Sequence, residues 1–162
     1  MRPWVGVVAI TLVVAHLTLR VGFGIGATAP DLMLLAMLVV ARRFPIGTAA
    51  GVGLLLGLIE DALAVLSFGA GAFTFALIGA VAAATRELFV GDSPWFGVSY
   101  LFLGKLSRDT LHWVLMGTDL REPFLRTVVL EGGLAALYLA VVGTLVVTLT
   151  GLRWDGAGAS RR

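Results

Sequence analysis

Cysteine is absent from the 162 residues, which excludes disulfides and thiolate metal sites. Charge is scarce as well. Asp, Glu, Lys and Arg make up 14% of the chain, against about a quarter in a soluble domain. So little charge cannot cover a water-facing surface, and lipid must be the main solvent. Catalytic signatures are also missing. No His-Glu-x-x-His pair offers zinc with a base, no Gly-x-Ser-x-Gly elbow offers a nucleophile, and no phosphate-cradling loop is followed by lysine. His112 and Asp109 could form an acid–base pair by spacing, but no nucleophile or metal set stands beside them. The expectation is a non-enzymatic protein without cofactor or metal.

What the chain does have is apolar length. Hydrophobic residues make up 59% of it, and the mean hydropathy is +0.98. The expected fold is an all-α membrane protein, a six-helix transmembrane bundle forming a single domain over residues 1–162. Its spans fall at about 3–19, 27–41, 46–66, 69–85, 94–117 and 127–150. Met1-Arg2 and the apolar run behind it resemble a signal peptide. No small-x-small cleavage site precedes Arg20, however, so a retained first span is expected.

In the second segment Pro30 suits a first helical turn, and Asp31 sits where a helix dipole favours an anion. From residue 30 to 41 a helix covers only ~18 Å of roughly 30 Å of hydrocarbon. The glycine-rich stretch from Gly22 to Gly26 is therefore expected to be partly embedded and sheltered by protein. The third segment carries Gly47, Gly51, Gly53 and Gly57, two small-xxx-small pairs on adjacent faces. The fourth carries Ala76, Ala80 and Ala84 in a row. Both ladders read as packing within the bundle.

The net charge of +2 comes from basic residues placed mostly at segment ends. That placement is an orientation signal and not a nucleic-acid footprint. With the amino terminus inside, the inner loops and tails hold Arg2, Arg42, Arg43, Arg86, Arg153, Arg161 and Arg162. The outer loops hold only Arg20, Arg121 and Arg126. Both termini are therefore expected in the cytoplasm. Trp4, Trp95 and Trp154 read as interfacial anchors on that side, with Trp113 toward the outer one.

Charge at membrane depth costs a few kcal/mol per residue even on lenient scales, so each case needs a reason. In the fifth segment Lys105, Arg108, Asp109 and His112 stand at i, i+3, i+4 and i+7, on one face. At ~1.5 Å per residue, Glu60, Asp61, Arg108, Asp109, His112 and Glu131 fall in one outer half-membrane layer. A buried polar cluster is expected there. Glu60 and its neighbour Asp61 cannot share a direction, so only one of them is expected to face it. The cluster could fix helix register, or it could form a ligand site, a proton site or a docking surface for a partner helix. His16 reads as a hydrogen-bonded structural residue.

The segment from Ala29 to Phe75 resembles the rod shape-determining membrane protein family MreD. The matching features are Pro30-Asp31-Leu32, the basic break Arg42-Arg43, the glycines from Gly47 to Gly57, the run Gly57-Leu58-Ile59-Glu60-Asp61, and Ser67-Phe68-Gly69. They cover under a third of the chain. The family run ends in Asp, which implies Asp61 as the residue that faces the cluster. The resemblance further implies a scaffold of the bacterial cell-elongation machinery in the inner membrane, supporting peptidoglycan synthesis. Its expected partners are an MreC-like bitopic protein, the RodA and class B transpeptidase complex, an MreB-like cytoskeleton and membrane lipid. The family is similar in fold to the substrate-binding subunits of energy-coupling-factor vitamin transporters, which bind their ligand toward the outer side. Such a subunit is the alternative reading. Against it, the Ala-x-x-x-Ala contact motif of those subunits is missing: Ala9 is followed at four residues by Val13, and Ala15 by Leu19.

Overall fold

A computed structural model of the chain describes residues 3–22, 30–63, 69–86 and 94–152. Among them are six α-helices and no strand: α1 (Pro3–Leu17), α2 (Leu32–Arg43), α3 (Ile46–Leu63), α4 (Ala70–Ala84), α5 (Pro94–Leu115) and α6 (Gly132–Leu149). Two π-helical segments extend them. Thr18–Gly22 prolongs α1, and Leu125–Glu131 leads into α6. Three stretches are long and apolar enough to cross a membrane: Pro3–Arg20, Ile46–Leu63 and Leu125–Leu149.

At the centre stands α2, whose residues from Leu32 to Arg42 are all buried. A helix that is apolar all round belongs inside, and α2 touches each of the other five helices. Its 12 residues span only ~18 Å, so it is a core element enclosed by longer ones. The outward faces of α1, α3 and α6 carry large apolar side chains in the open, among them Ile10, Leu55 and Leu145. Soluble monomers rarely expose so continuous an apolar surface.

Hydrogen bonds at the helix ends show the alternating up-and-down order. The Trp4 indole at the start of α1 donates to the Thr150 carbonyl at the end of α6, 3.0 Å away. Arg86, just after α4, donates to the Phe44 carbonyl just after α2 at 2.9 Å. At this same end the Arg42 guanidinium lies 5.0 Å from the ring centre of Phe96 and 5.3 Å from that of Tyr100. Arg42 is thus buried against aromatic faces, a role that its reading as a helix-stopping loop charge does not include.

The closest packing joins α3 to α4. Gly53 and Gly57 bring the two backbones together: a Cβ on Gly53 would collide with the Phe75 carbonyl, and one on Gly57 would lie 2.5 Å from the Ala72 Cα. On the other side of the pair, a Cβ on Gly79 would lie 2.6 Å from the Ala49 carbonyl oxygen. Gly47 and Gly51, also expected to pack within the bundle, do not; a Cβ added to either would meet nothing within 4 Å. The two ladders point in different directions around α3, and only one meets α4. Nor does the row Ala76, Ala80 and Ala84 form the buried face of α4, which runs through Ala72, Phe75, Gly79 and Ala82.

This geometry sets a contrast. Gly53→Ala is expected to lower stability by about 1–3 kcal/mol through overpacking. Gly51→Ala is expected to leave it unchanged or raise it by up to about 1 kcal/mol from helix propensity. Thermal unfolding of the two purified variants in the same detergent checks the difference.

Helix limits differ from the sequence reading in ways that follow from caps. The second helix starts at Leu32, because Asp31 is its N-cap and Asp31 Oδ1 accepts from the Leu34 amide. The fourth starts at Ala70, because Gly69 takes a left-handed φ of 97°, which an L side chain disfavours. The last helical run starts at Leu125, two residues before the expected limit. Residues 23–29, 64–68 and 153–162, and with them the Gly24–Gly26 stretch, Ser67-Phe68 and Trp154, lie outside the described residues.

Candidate functional site: an ion-paired cleft at one end of the bundle

Because the helices alternate, the ends of α1, α3 and α5 meet the starts of α2 and α6 at one end of the molecule. The charged residues collect there. On α5 the i, i+4 spacing lets Lys105 Nζ donate to Asp109 Oδ1 at 2.7 Å, and the same oxygen accepts from Arg108 Nη1 at 3.1 Å. Asp31 uses Oδ1 to cap α2 and accepts from Lys105 Nζ on Oδ2 at 3.2 Å. Arg108 Nη2 donates to Glu60 Oε1 on α3. Arg20, beyond α1, approaches the same carboxylate at 3.7 Å.

The result is one chain of alternating sign: Asp31, Lys105, Asp109, Arg108, Glu60, Arg20. Three cations face three anions. Lys105 and Arg108 are each only 8% exposed. Desolvating such groups costs several kcal/mol each unless charge and hydrogen bonds compensate, and the alternation supplies both. The Arg108 guanidinium also lies 5.4 Å from the Phe75 ring centre, a further contact suited to a desolvated cation.

Asp61, expected in this cluster, is not part of it. It is 2% exposed and turned toward α4. Its Oδ2 accepts from the amides of Gly69 and Ala72, and its Oδ1 from that of Gly71, each at 2.9 Å. The start of α4 has no capping side chain of its own, so the orphan amides of its first turn are satisfied from the end of α3. Glu60, its neighbour, takes the place in the cluster.

Glu131, also expected to be buried there, has a side chain 57% exposed and pairs with Arg126 at 3.1 Å. The two residues are five apart, the spacing that a π-helical turn brings onto one side. Glu131 therefore sits at the rim. His112 lines the interior, as does His16, which the sequence reading set apart as a lone structural residue. Pro30 lines it too, next to the Asp31 cap.

These groups surround a cleft of about 600 Å³. The ion-pair chain forms its polar floor. Its remaining wall is largely apolar, with Trp113, Val128, Leu134 and Tyr138 prominent. Five buried polar atoms on the lining residues have no hydrogen-bond partner: His16 Nδ1, His112 Nδ1, Glu60 Oε2, Arg108 Nε and Thr127 Oγ1. Among the described residues no group of three histidine or carboxylate side chains is disposed to hold a metal ion. The cleft can offer donors, acceptors and an apolar wall to an uncharged or charge-balanced guest.

Comparison with protein-family models, with curated proteins and with solved structures finds no match for this chain.

Helical spacing made Lys105, Arg108, Asp109 and His112 legible as one face. Asp31, Arg20 and His16 were missed as members of the site, and Glu60 was passed over for its neighbour Asp61. For Asp31 a signal was available: a capping carboxylate uses one oxygen on the helix start and keeps the other free for a cation. For Glu60 the signal was the Gly69-Ala70-Gly71 start of α4, which lacks a cap and demands the neighbouring Asp61.

Proposed function

We propose that the chain is a multi-pass scaffold of the bacterial cell-elongation machinery in the inner membrane, with six spans, cytoplasmic termini and no reaction of its own. The observation that carries this reading is the outer face of α3. Gly47 and Gly51 stand four residues apart with open space before them, beside the exposed Leu55 and Leu58. Small residues at that spacing let another transmembrane helix approach backbone to backbone, the main route to helix association in lipid. The expected partners follow from the resemblance to the MreD family: an MreC-like bitopic protein, the RodA–transpeptidase complex and an MreB-like cytoskeleton. A bitopic protein brings one membrane helix, the kind of partner such a face accommodates.

The residues that carry the resemblance support the same reading. Asp31, Gly57 and Asp61 each act between helices, as anchor, contact and cap. Six spans are supported by the way α2, α4 and α5 pack among the three stretches that are long and apolar enough to cross a membrane. A span enclosed by others need not be apolar on every face, and the charged face of α5 turns inward. The Trp4–Thr150 bond supports placing both termini on one side.

Loss of the protein is expected to turn rod-shaped cells round. Gly51→Leu is expected to cut recovery of a single-span partner in mild-detergent pull-downs at least tenfold, while the purified variant melts like the wild type. Normal rods and normal wall elongation in the deletion strain would overturn the scaffold reading.

The cleft favours a second reading, a substrate-binding membrane subunit of a vitamin-type transporter. Its volume of about 600 Å³ lies within the range of small-molecule pockets, about 300–1,000 Å³. The missing Ala-x-x-x-Ala motif on the first helix weighs against it. A vitamin co-purified at near-stoichiometric level would establish it.

A further inference from the structure

We infer that the cleft binds the headgroup of a zwitterionic phospholipid bearing a primary amine, admitted sideways between α1 and α6. This goes beyond the scaffold reading and rests on the cleft alone.

The opening is lateral. Leu134 and Tyr138 line the cleft and are also exposed on the apolar outer surface, Leu134 to 70%, so the mouth lies on that flank. His16 and Arg20, from α1 and its π-helical extension, line the same cleft. The two helices meet at the far end through Trp4 and Thr150, and among the described residues they do not pack along their lengths. Both π-helical segments, Thr18–Gly22 and Leu125–Glu131, contribute residues to the cleft lining, Arg20 from the first and Thr127, Val128 and Glu131 from the second, and such interruptions of an α-helix recur at functional sites.

Below the mouth, Leu134, Tyr138, Val141 and Leu145 follow one another down a single exposed stripe of α6. The stripe covers ~17 Å at 1.5 Å per residue, close to half of a ~30 Å hydrocarbon core. A polar cleft that opens onto a leaflet-length apolar track suits an amphiphile better than a solute.

Charge and unused hydrogen-bonding capacity specify the head. The floor is balanced, so a net anion or a net cation would enter with its charge uncompensated; a zwitterion adds none. Glu60 Oε2 is a buried acceptor and Arg108 Nε a buried donor, each without a partner, on two side chains already bonded to each other. An ammonium has N–H groups for the first, and a phosphate has oxygens for the second. A quaternary choline has no N–H to give, which separates it from a primary amine.

The test uses the full chain, exchanged into nanodiscs of equal phosphatidylethanolamine, phosphatidylcholine and phosphatidylglycerol, with native mass spectrometry of the released protein. Phosphatidylethanolamine is expected at one per chain, at least tenfold over either competitor. Glu60→Gln is expected to cut that preference about tenfold. Leu134→Trp, which fills the mouth without touching the ion pairs, is expected to abolish retention and leave lipid-free melting unchanged. Equal retention of all three lipids, or retention of none, overturns the proposal. So does soluble glycerophosphoethanolamine binding as tightly as the lipid, since the guest would then be a solute. Cell shape does not enter any of these readouts, so failure of the scaffold reading and failure of this one are distinguishable.

Discussion

Arg108→Leu is expected to lower the stability of the purified protein by about 3–5 kcal/mol, the range for breaking a buried ion pair from one side. The leucine fills much of the same space, so packing is not the cause. The cause is Glu60 and Asp109, which lose the guanidinium that bonds both. Asp109 keeps Lys105 at 2.7 Å, whereas Glu60 keeps only Arg20 at 3.7 Å, so Glu60 bears most of the loss. Arg108→Lys is expected to fall between the wild type and the leucine variant, because an ammonium keeps the charge but lacks the planar fork whose two separate nitrogens hold Asp109 and Glu60. Denaturant unfolding in a single detergent, followed by tryptophan fluorescence, measures both. Equal stability of the leucine variant and the wild type would contradict the ion-pair chain.

Asp61→Ala carries the second large effect, by a different mechanism. The carboxylate accepts three amide hydrogens from the first turn of α4 and the residue before it. Each buried amide left without a partner costs about 1–3 kcal/mol. Some of the three can find water, so a loss of about 3 kcal/mol or more is the expectation. Asp61→Asn keeps one carbonyl oxygen and is expected to lose roughly half as much. The α3–α4 contact through Gly53 and Gly57 depends on this cap, so hydrogen exchange should rise first in the opening turn of α4 in both variants. If exchange there stayed at the wild-type level, Asp61 would not be holding the helix start.

The comparison of these two residues shows how much of the site was legible. Composition and apolar run length gave the helices, and i, i+3, i+4 spacing gave the charged face of α5, because both depend only on local geometry. The choice between Glu60 and Asp61 does not. Neighbours on a helix point about 100° apart, and which one turns toward α5 is settled by where the chain returns after residue 63. The return sets the uncapped amides of Gly69, Gly71 and Ala72 over Asp61 and leaves Glu60 for Arg108. The resemblance implied that Asp61 faces the cluster, whereas its carboxylate caps the start of α4. Gly47 and Gly51 followed the same logic. Spacing identified a surface for close approach, and only the location of α4 decides that this surface faces outward.

Lys105 is the hinge between what was read and what was missed. Its place on α5 was clear from spacing, yet its partner Asp31 is 74 residues away in sequence. Asp31 was visible only as a helix start. A single carboxylate performs both tasks, one oxygen for each, and no local pattern announces the second.

The central claim is that oppositely charged side chains from separate helices meet at one end of the bundle, and a double-mutant cycle on Glu60 and Arg108 tests it most directly. Glu60→Gln, Arg108→Leu and the pair together are unfolded under identical conditions, and the interaction term is taken from the four stabilities. The account predicts a coupling of about 1.5–3 kcal/mol, with the double variant more stable than Arg108→Leu alone. Strictly additive losses, with no coupling between the two positions, would contradict it.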